Sequence, residues 1–190
     1  MVRLRLRLAA SHMAEYEVRI VDAFTTQRYS SNPCNVIPRA DGLSDEQMQS
    51  IARELNLSET SFVFPPDVAD FWVRFFTLAK EIPLAGHPTI ATMHTLVEEG
   101  RISLDEPCRV VRELNIGVLP VDISRDAKGR ARVVMTQAGP NFGRRLDHNV
   151  FAQALGISVI DMLPGVPVQI VRTGTPQAMV PVRSIKVLAG

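Results

Sequence analysis

Most of this chain alternates between apolar and polar positions with a period of two, and three stretches switch to the helical period. Strands are predicted over residues 16–24, 34–37, 61–64, 71–77, 109–112, 117–123, 130–136, 166–172 and 178–182. In the strand 71–77, Phe71, Val73 and Phe75 share one face; Trp72, Arg74 and Phe76 share the other, with Arg74 its only charge. A surface helix is predicted after Ser44, which can cap it while Gln47 reaches back. Its Met48, Ile51, Ala52 and Leu55 recur at i, i+3, i+4 and i+7 and form one buried stripe. Residues 56–60 then read as the linker into the strand at 61. Another helix follows Asp147, with Val150, Phe151, Ala154 and Leu155 on its buried side and Gly156 closing it.

The stretch 88–99 is different in kind. Pro88 suits a first helical turn and Gly100 suits the residue just past the end. Ile90, Ala91, Met93, Leu96 and Val97 spread around most of the circumference instead of forming a stripe, so this helix is expected inside the protein. The surrounding strands must then wrap it. The fold class that follows is α+β, a curled and mostly antiparallel sheet around a central buried helix. Gly86-His87 falls at the N-terminus of that helix, where free N–H groups and the macrodipole favour an anion.

Composition narrows the functional classes. At 190 residues with 46% hydrophobic content the chain can build a real core. Net charge is +1, of which Arg3, Arg5 and Arg7 supply three charges, so the chain from Ala14 onward carries 1 − 3 = −2. No basic face for nucleic acid is expected. Cys34 and Cys108 lie far apart without metal-ligand spacing, so neither a zinc site nor a disulfide framework is expected, and a cytoplasmic location is. No apolar run approaches the about 18 residues of a membrane-spanning helix. Residues 1–13 alternate Arg and Leu and end in Ser-His-Met, and are expected to be a tag or disordered. An N-terminal domain is expected over 14–136. From 137 the pattern changes to a crossing segment, followed to 190 by part of a second domain.

Several motifs occur in a definite order: Val21-Asp22-Ala23-Phe24, Asn32-Pro33, Leu55-Asn56-Leu57-Ser58-Glu59-Thr60, Arg74-Phe75-Phe76-Thr77, Glu81-Ile82-Pro83-Leu84-Ala85-Gly86-His87-Pro88-Thr89 and Thr173-Gly174-Thr175-Pro176-Gln177. In this order and spacing the chain resembles the phenazine biosynthesis PhzF-like family. The resemblance implies a diaminopimelate epimerase-like fold, with two similar domains, each a curled sheet around a helix, and an active site in the cleft between them. It also implies cofactor-independent isomerisation, the movement of a proton within a small carboxylated substrate, with no metal. Glu59 matches the catalytic carboxylate, Gly86 and His87 match the substrate-binding turn, and Asp22 and Ser58 are further candidates for binding. A homodimer is one assembly to expect, and a membrane partner is not. The family's second-domain Asp-Ala-Ala-Thr-Gly-Ser run does not occur in these residues. The alternative is therefore a truncated, non-catalytic ligand-binding or interaction module of the same fold.

Taken singly, these residues have plainer readings. Glu59 by itself is a solvated turn carboxylate, as most glutamates are, and only the motif match reverses that. His87 alone is a histidine packed at a helix end, yet between Gly and Pro its ring and amide point at one spot, as a carboxylate site requires. Ser58 and Thr60 flank Glu59 and could hold its carboxylate. Asp22 could line the cleft or cap a turn at the end of its strand, and the second is preferred. His94 reads as a satisfied core histidine, His148 as a surface residue, His12 as part of the tag, and the two cysteines as small apolar residues.

Overall fold

The fold follows from how one helix is enclosed. The structure, a computed structural model, describes residues 2–7, 15–27, 29–115, 117–137 and 139–188. Along the chain come β1 (Val2–Arg7), β2 (Glu15–Ala23), β3 (Asn32–Ile37), α1 (Asp45–Leu55), β4 (Glu59–Phe64), β5 (Phe71–Thr77), β6 (Glu81–Ile82), α2 (Gly86–Glu98), β7 (Cys108–Leu114), β8 (Gly117–Arg125) and β9 (Ala131–Met135). Then follow β10 (Asn141–Leu146), α3 (His148–Leu155), β11 (Val168–Arg172) and β12 (Pro176–Met179). The chain divides into two compact units, Met1–Thr136 and Gln137–Gly190.

In the first unit the strands form one sheet in the order β1-β2-β3-β4-β5-β7-β8-β9, with β6 paired to the end of β5. Pairing is antiparallel except for β3 with β4 and β5 with β7. Helix α2 packs on β2, β3 and β4 and also on β9, from opposite ends of that order, so the sheet curls around it. Helix α1 covers β4 and β5 from the outside. The central strands are therefore buried on both faces, which is why residues 60–64 of β4 are all buried instead of alternating. One core cluster, with Val36, Val63, Phe75, Met93 and Leu96, fills the space inside the curl. A second, with Met48, Ile51, Phe62 and Phe76, lies beneath α1.

Local chemistry explains the helices. Ser44 and Gln47 form the expected capping box on α1, and Asn56 closes it in a left-handed conformation. In α2, Thr89, Thr92 and Thr95 are fully buried, yet each donates its hydroxyl to the carbonyl four residues back, so polar side chains sit in the core at little cost. The expected burial all round α2 is only partly met: Ile90, His94 and Val97 are half-buried on a side that faces a groove of about 790 Å³ lined also by Phe24 and Glu98. His94 is thus a groove residue, and burial holds its pKa below the usual histidine value.

Other expectations shift. The helix predicted from Pro88 starts two residues earlier, with Ala85 as its N-cap, so Pro88 sits third in the first turn, where its missing N–H still costs nothing. Strand β4 begins at Glu59, which pairs with Thr77, so the expected linker is shorter by two residues. Residues 2–7, expected as tag or disorder, pair antiparallel with β2 from Val2↔Ile20 to Arg7↔Glu15. An alternating segment beside an open strand edge has the backbone groups to do this. Residues 1 and 8–14, with His12, and residues 28, 116, 138, 189 and 190 lie outside the described residues.

The second unit is an antiparallel sheet in the order β10-β11-β12 with α3 and a small core of Ala152, Met162 and Val168. Asp147 caps α3 and Gly156 ends it in a left-handed conformation. The crossing segment thus becomes β10 from Asn141. Of the four residues expected on the buried side of α3, Val150, Ala154 and Leu155 are exposed and Phe151 is half-buried, because it is Ala152 that faces Met162 and Val168.

Candidate active site

Three neighbouring elements converge at one end of α2. Glu59 opens β4, His87 is the second residue of α2, and Pro33 lies in β3 beside β4. The Glu59 Oε2 and His87 Nε2 atoms are 3.3 Å apart, with side chains 23% and 12% exposed. Among the described residues neither atom has a hydrogen-bond partner, so the two stand at ion-pair distance without a formed hydrogen bond. The Pro33 backbone lies on the ring as well and, with Glu59, favours its protonated form. Burial holds the His87 pKa below its ordinary value, while Glu59 and the Pro33 carbonyl pull it up.

This arrangement sets a proton inventory. A neutral His87 that carries its proton on Nδ1 turns an Nε2 lone pair toward Glu59. A carboxylate facing that lone pair has nothing to share, so the two groups bond well only when the pair holds one further proton. Such a pair can take up a proton and give it back.

Beside it, the N-terminus of α2 is bare. Ala85 makes no side-chain cap, Pro88 has no N–H, and the amides of Gly86 and His87 are left pointing out. A Cβ added at Gly86 would meet nothing within 4 Å. Open space, two amide donors and the positive end of a helix suit a small anion. Ser61 and Cys34 lie on the inner side of Glu59, their side chains 3.7 Å apart. Burial pushes the Cys34 thiol up to about 12, so it stays protonated and inert.

The remaining predicted residues fall out differently. Ser58 is exposed next to Glu59. Thr60 does not reach the Glu59 carboxylate; alternation turns it to the α1 side, where it accepts from Asn35 Nδ2 at 3.3 Å. Asp22, which pairs with Pro33, accepts from the Tyr29 amide at 3.0 Å, which caps the turn after β2, and lines a groove with Val21, Phe24, His94 and Glu98. Sequence reasoning missed the Pro33 carbonyl, for which no side-chain signal exists. It also missed Arg112, whose signal was its register between the inward-facing Val110 and Leu114. Among the described residues no three His, Cys, Asp or Glu side chains converge to hold a metal ion.

A curled, mostly antiparallel sheet around one helix, with the Glu59–His87 contact at the N-terminus of that helix, defines an α+β protein of the diaminopimelate epimerase-like fold. The profile of the phenazine biosynthesis-like proteins (PhzC-PhzF) matches residues 21–190, and the chain belongs to that family. It is 38% identical over 179 residues to a Clostridium acetobutylicum protein described as an uncharacterized isomerase, covering 92% of this chain and 58% of that one. It is 34% identical over 174 residues to the trans-2,3-dihydro-3-hydroxyanthranilate isomerase of Pseudomonas chlororaphis, covering 90% and 58%. The crystal structure of a PhzF-family phenazine biosynthesis protein of Bacillus anthracis superposes with a TM-score of 0.80 at 34% identity, over 90% of this chain and 56% of that one. A hydroxyproline epimerase of Agrobacterium vitis shares the fold at a TM-score of 0.58 and 12% identity, over 92% and 53%. The chain thus spans less than three fifths of the length of the curated relatives it matches.

Proposed function

We propose that this chain supplies the acid/base site of a cofactor-independent isomerase that moves a proton between two carbons of a small unsaturated carboxylate. The observation that carries the reading is the contact between Glu59 and His87 beside the bare N-terminus of α2. The substrate carboxylate takes the Gly86 and His87 amides. The Glu59 carboxylate removes a proton from one carbon; that C–H bond breaks and its electron pair passes into the adjacent π system. The pair returns the proton to a second carbon, so the product has the composition of the substrate and no electrons are exchanged. His87 Nε2 holds the proton between the two half-steps, and Ser58 borders the approach. Relatives named as isomerases support the reaction class, and the one named for trans-2,3-dihydro-3-hydroxyanthranilate, a carboxylate, supports the substrate class.

The test is Glu59→Gln, which keeps the shape and removes the titrating group. In D₂O, NMR should show deuterium entering small cyclic and unsaturated carboxylates with the wild-type protein. Loss of a general base should slow that incorporation by about 10²- to 10⁴-fold. Incorporation that proceeds equally in Glu59→Gln would end the assignment.

A further inference from the structure

Arg112 is fully buried in β7, and among the described residues its Nε and Nη2 have no acceptor. Burial pulls its pKa down, to about 10, so it stays a cation at neutral pH, and none of the described carboxylates pairs with it. That is an expensive arrangement. Its hydrogen bond among the described residues leads to the site: Nη1 donates to Thr89 Oγ1, and Thr89 Oγ1 donates to the Ala85 carbonyl at 2.7 Å. The Ala85 carbonyl and the Gly86 N–H belong to one planar peptide unit and point in opposite directions. Whatever holds the carbonyl into the helix therefore aims the Gly86 amide out of it. Glycine leaves that peptide free to rock, and an exposed Gly86 has no side chain of its own to steady it.

We propose that Arg112 and Thr89 are positioning residues for the anion site, locking the Ala85–Gly86 peptide so that the Gly86 amide faces the ligand. Arg112 polarises the Thr89 hydroxyl and so strengthens its donation to Ala85. Its charge also lies behind the positive end of α2, where it favours an anion in front and leaves a neutral ligand indifferent. The inference rests on the reading of Gly86-His87 as a carboxylate-binding turn and adds what holds that turn in place.

Benzoate and its neutral counterpart benzamide are the probes, titrated by calorimetry into wild type, His87→Ala, Arg112→Met, Thr89→Val and Thr89→Ser. Arg112→Met and Thr89→Val should weaken benzoate about tenfold and leave benzamide unchanged, while Thr89→Ser, which keeps the hydroxyl, should bind as wild type does. In the same variants without ligand, ¹⁵N relaxation should show the Gly86 amide order parameter falling from the rigid value of about 0.85 toward about 0.6. Equal losses of benzoate and benzamide, or a Gly86 amide as ordered in both variants as in wild type, would overturn the inference. No benzoate binding by wild type, or unchanged binding in His87→Ala, overturns the site reading and this inference with it. Binding that needs His87 but neither Arg112 nor Thr89 overturns this inference alone.

Discussion

Glu59 and His87 face one another because two unrelated local rules end at the same place. Strand alternation turns Glu59 to the inside of the curl with Ser61, and the helix start turns His87 toward it. Removing the ring in His87→Ala should therefore weaken carboxylate binding at the α2 N-terminus, and equal affinity by calorimetry would remove His87 from the site. The same residue reports on pH. His87 and His94 both have pKa values lowered in the folded chain, burial being the larger cause in each. The unfolded chain, with histidines near the ordinary value of about 6.5, then binds protons first. Their contribution to stability is complete above that pH and is lost as pH falls through the lowered folded values. Urea midpoints should drop as pH goes from about 7.5 to about 5, and His94→Gln should flatten the slope. A slope unchanged in that variant would show that His94 does not titrate across folding.

At the scale of elements, α2 carries the most consequence. Leu96 is fully buried in the inner core, and Leu96→Ala should destabilise the first unit by about 2 to 5 kcal/mol. A thermal or denaturant melt displaced by under about 0.5 kcal/mol would mean that the site collapses around the deletion without loss. On α1 the capping box offers a milder change, and Ser44→Ala should cost about 1 kcal/mol. Arg74 shows how a strand charge is used. It reaches Asp45 at 2.6 Å and Glu81 at 2.7 Å while lying over Trp72 and Phe76, so it ties the start of α1 to β5 and β6. The burial pushes against its charge, but the two carboxylates raise its pKa well above the ordinary arginine value.

At the scale of the whole molecule, the two units differ in how much apolar surface they enclose. The first holds two core clusters on either face of its sheet, whereas the core of the second is built on Ala152, Met162 and Val168. Amide hydrogen exchange should leave β4, β5 and α2 protected longest and release β10, β11 and β12 first. Equal protection in both units would show that the second is stabilised by more than its own core. Much of the architecture was legible along the chain. The strand at Phe71–Thr77, the capping box of α1 and the closing Gly156 of α3 follow from alternation, caps and left-handed glycine, which are local properties of the backbone. Glu59, Gly86 and His87 stood out by motif, and the sequence alone placed Gly86-His87 at a helix start, whereas it left Glu59 in the linker that the structure makes the first residue of β4. That Glu59 meets His87, that Pro33 lies against the His87 ring, that Asp22 lines a groove with His94 and that Arg112 is buried against Thr89 were decided only by the tertiary structure. Each depends on which strands pair and how tightly the sheet curls, distances between residues far apart in the chain that no local preference encodes.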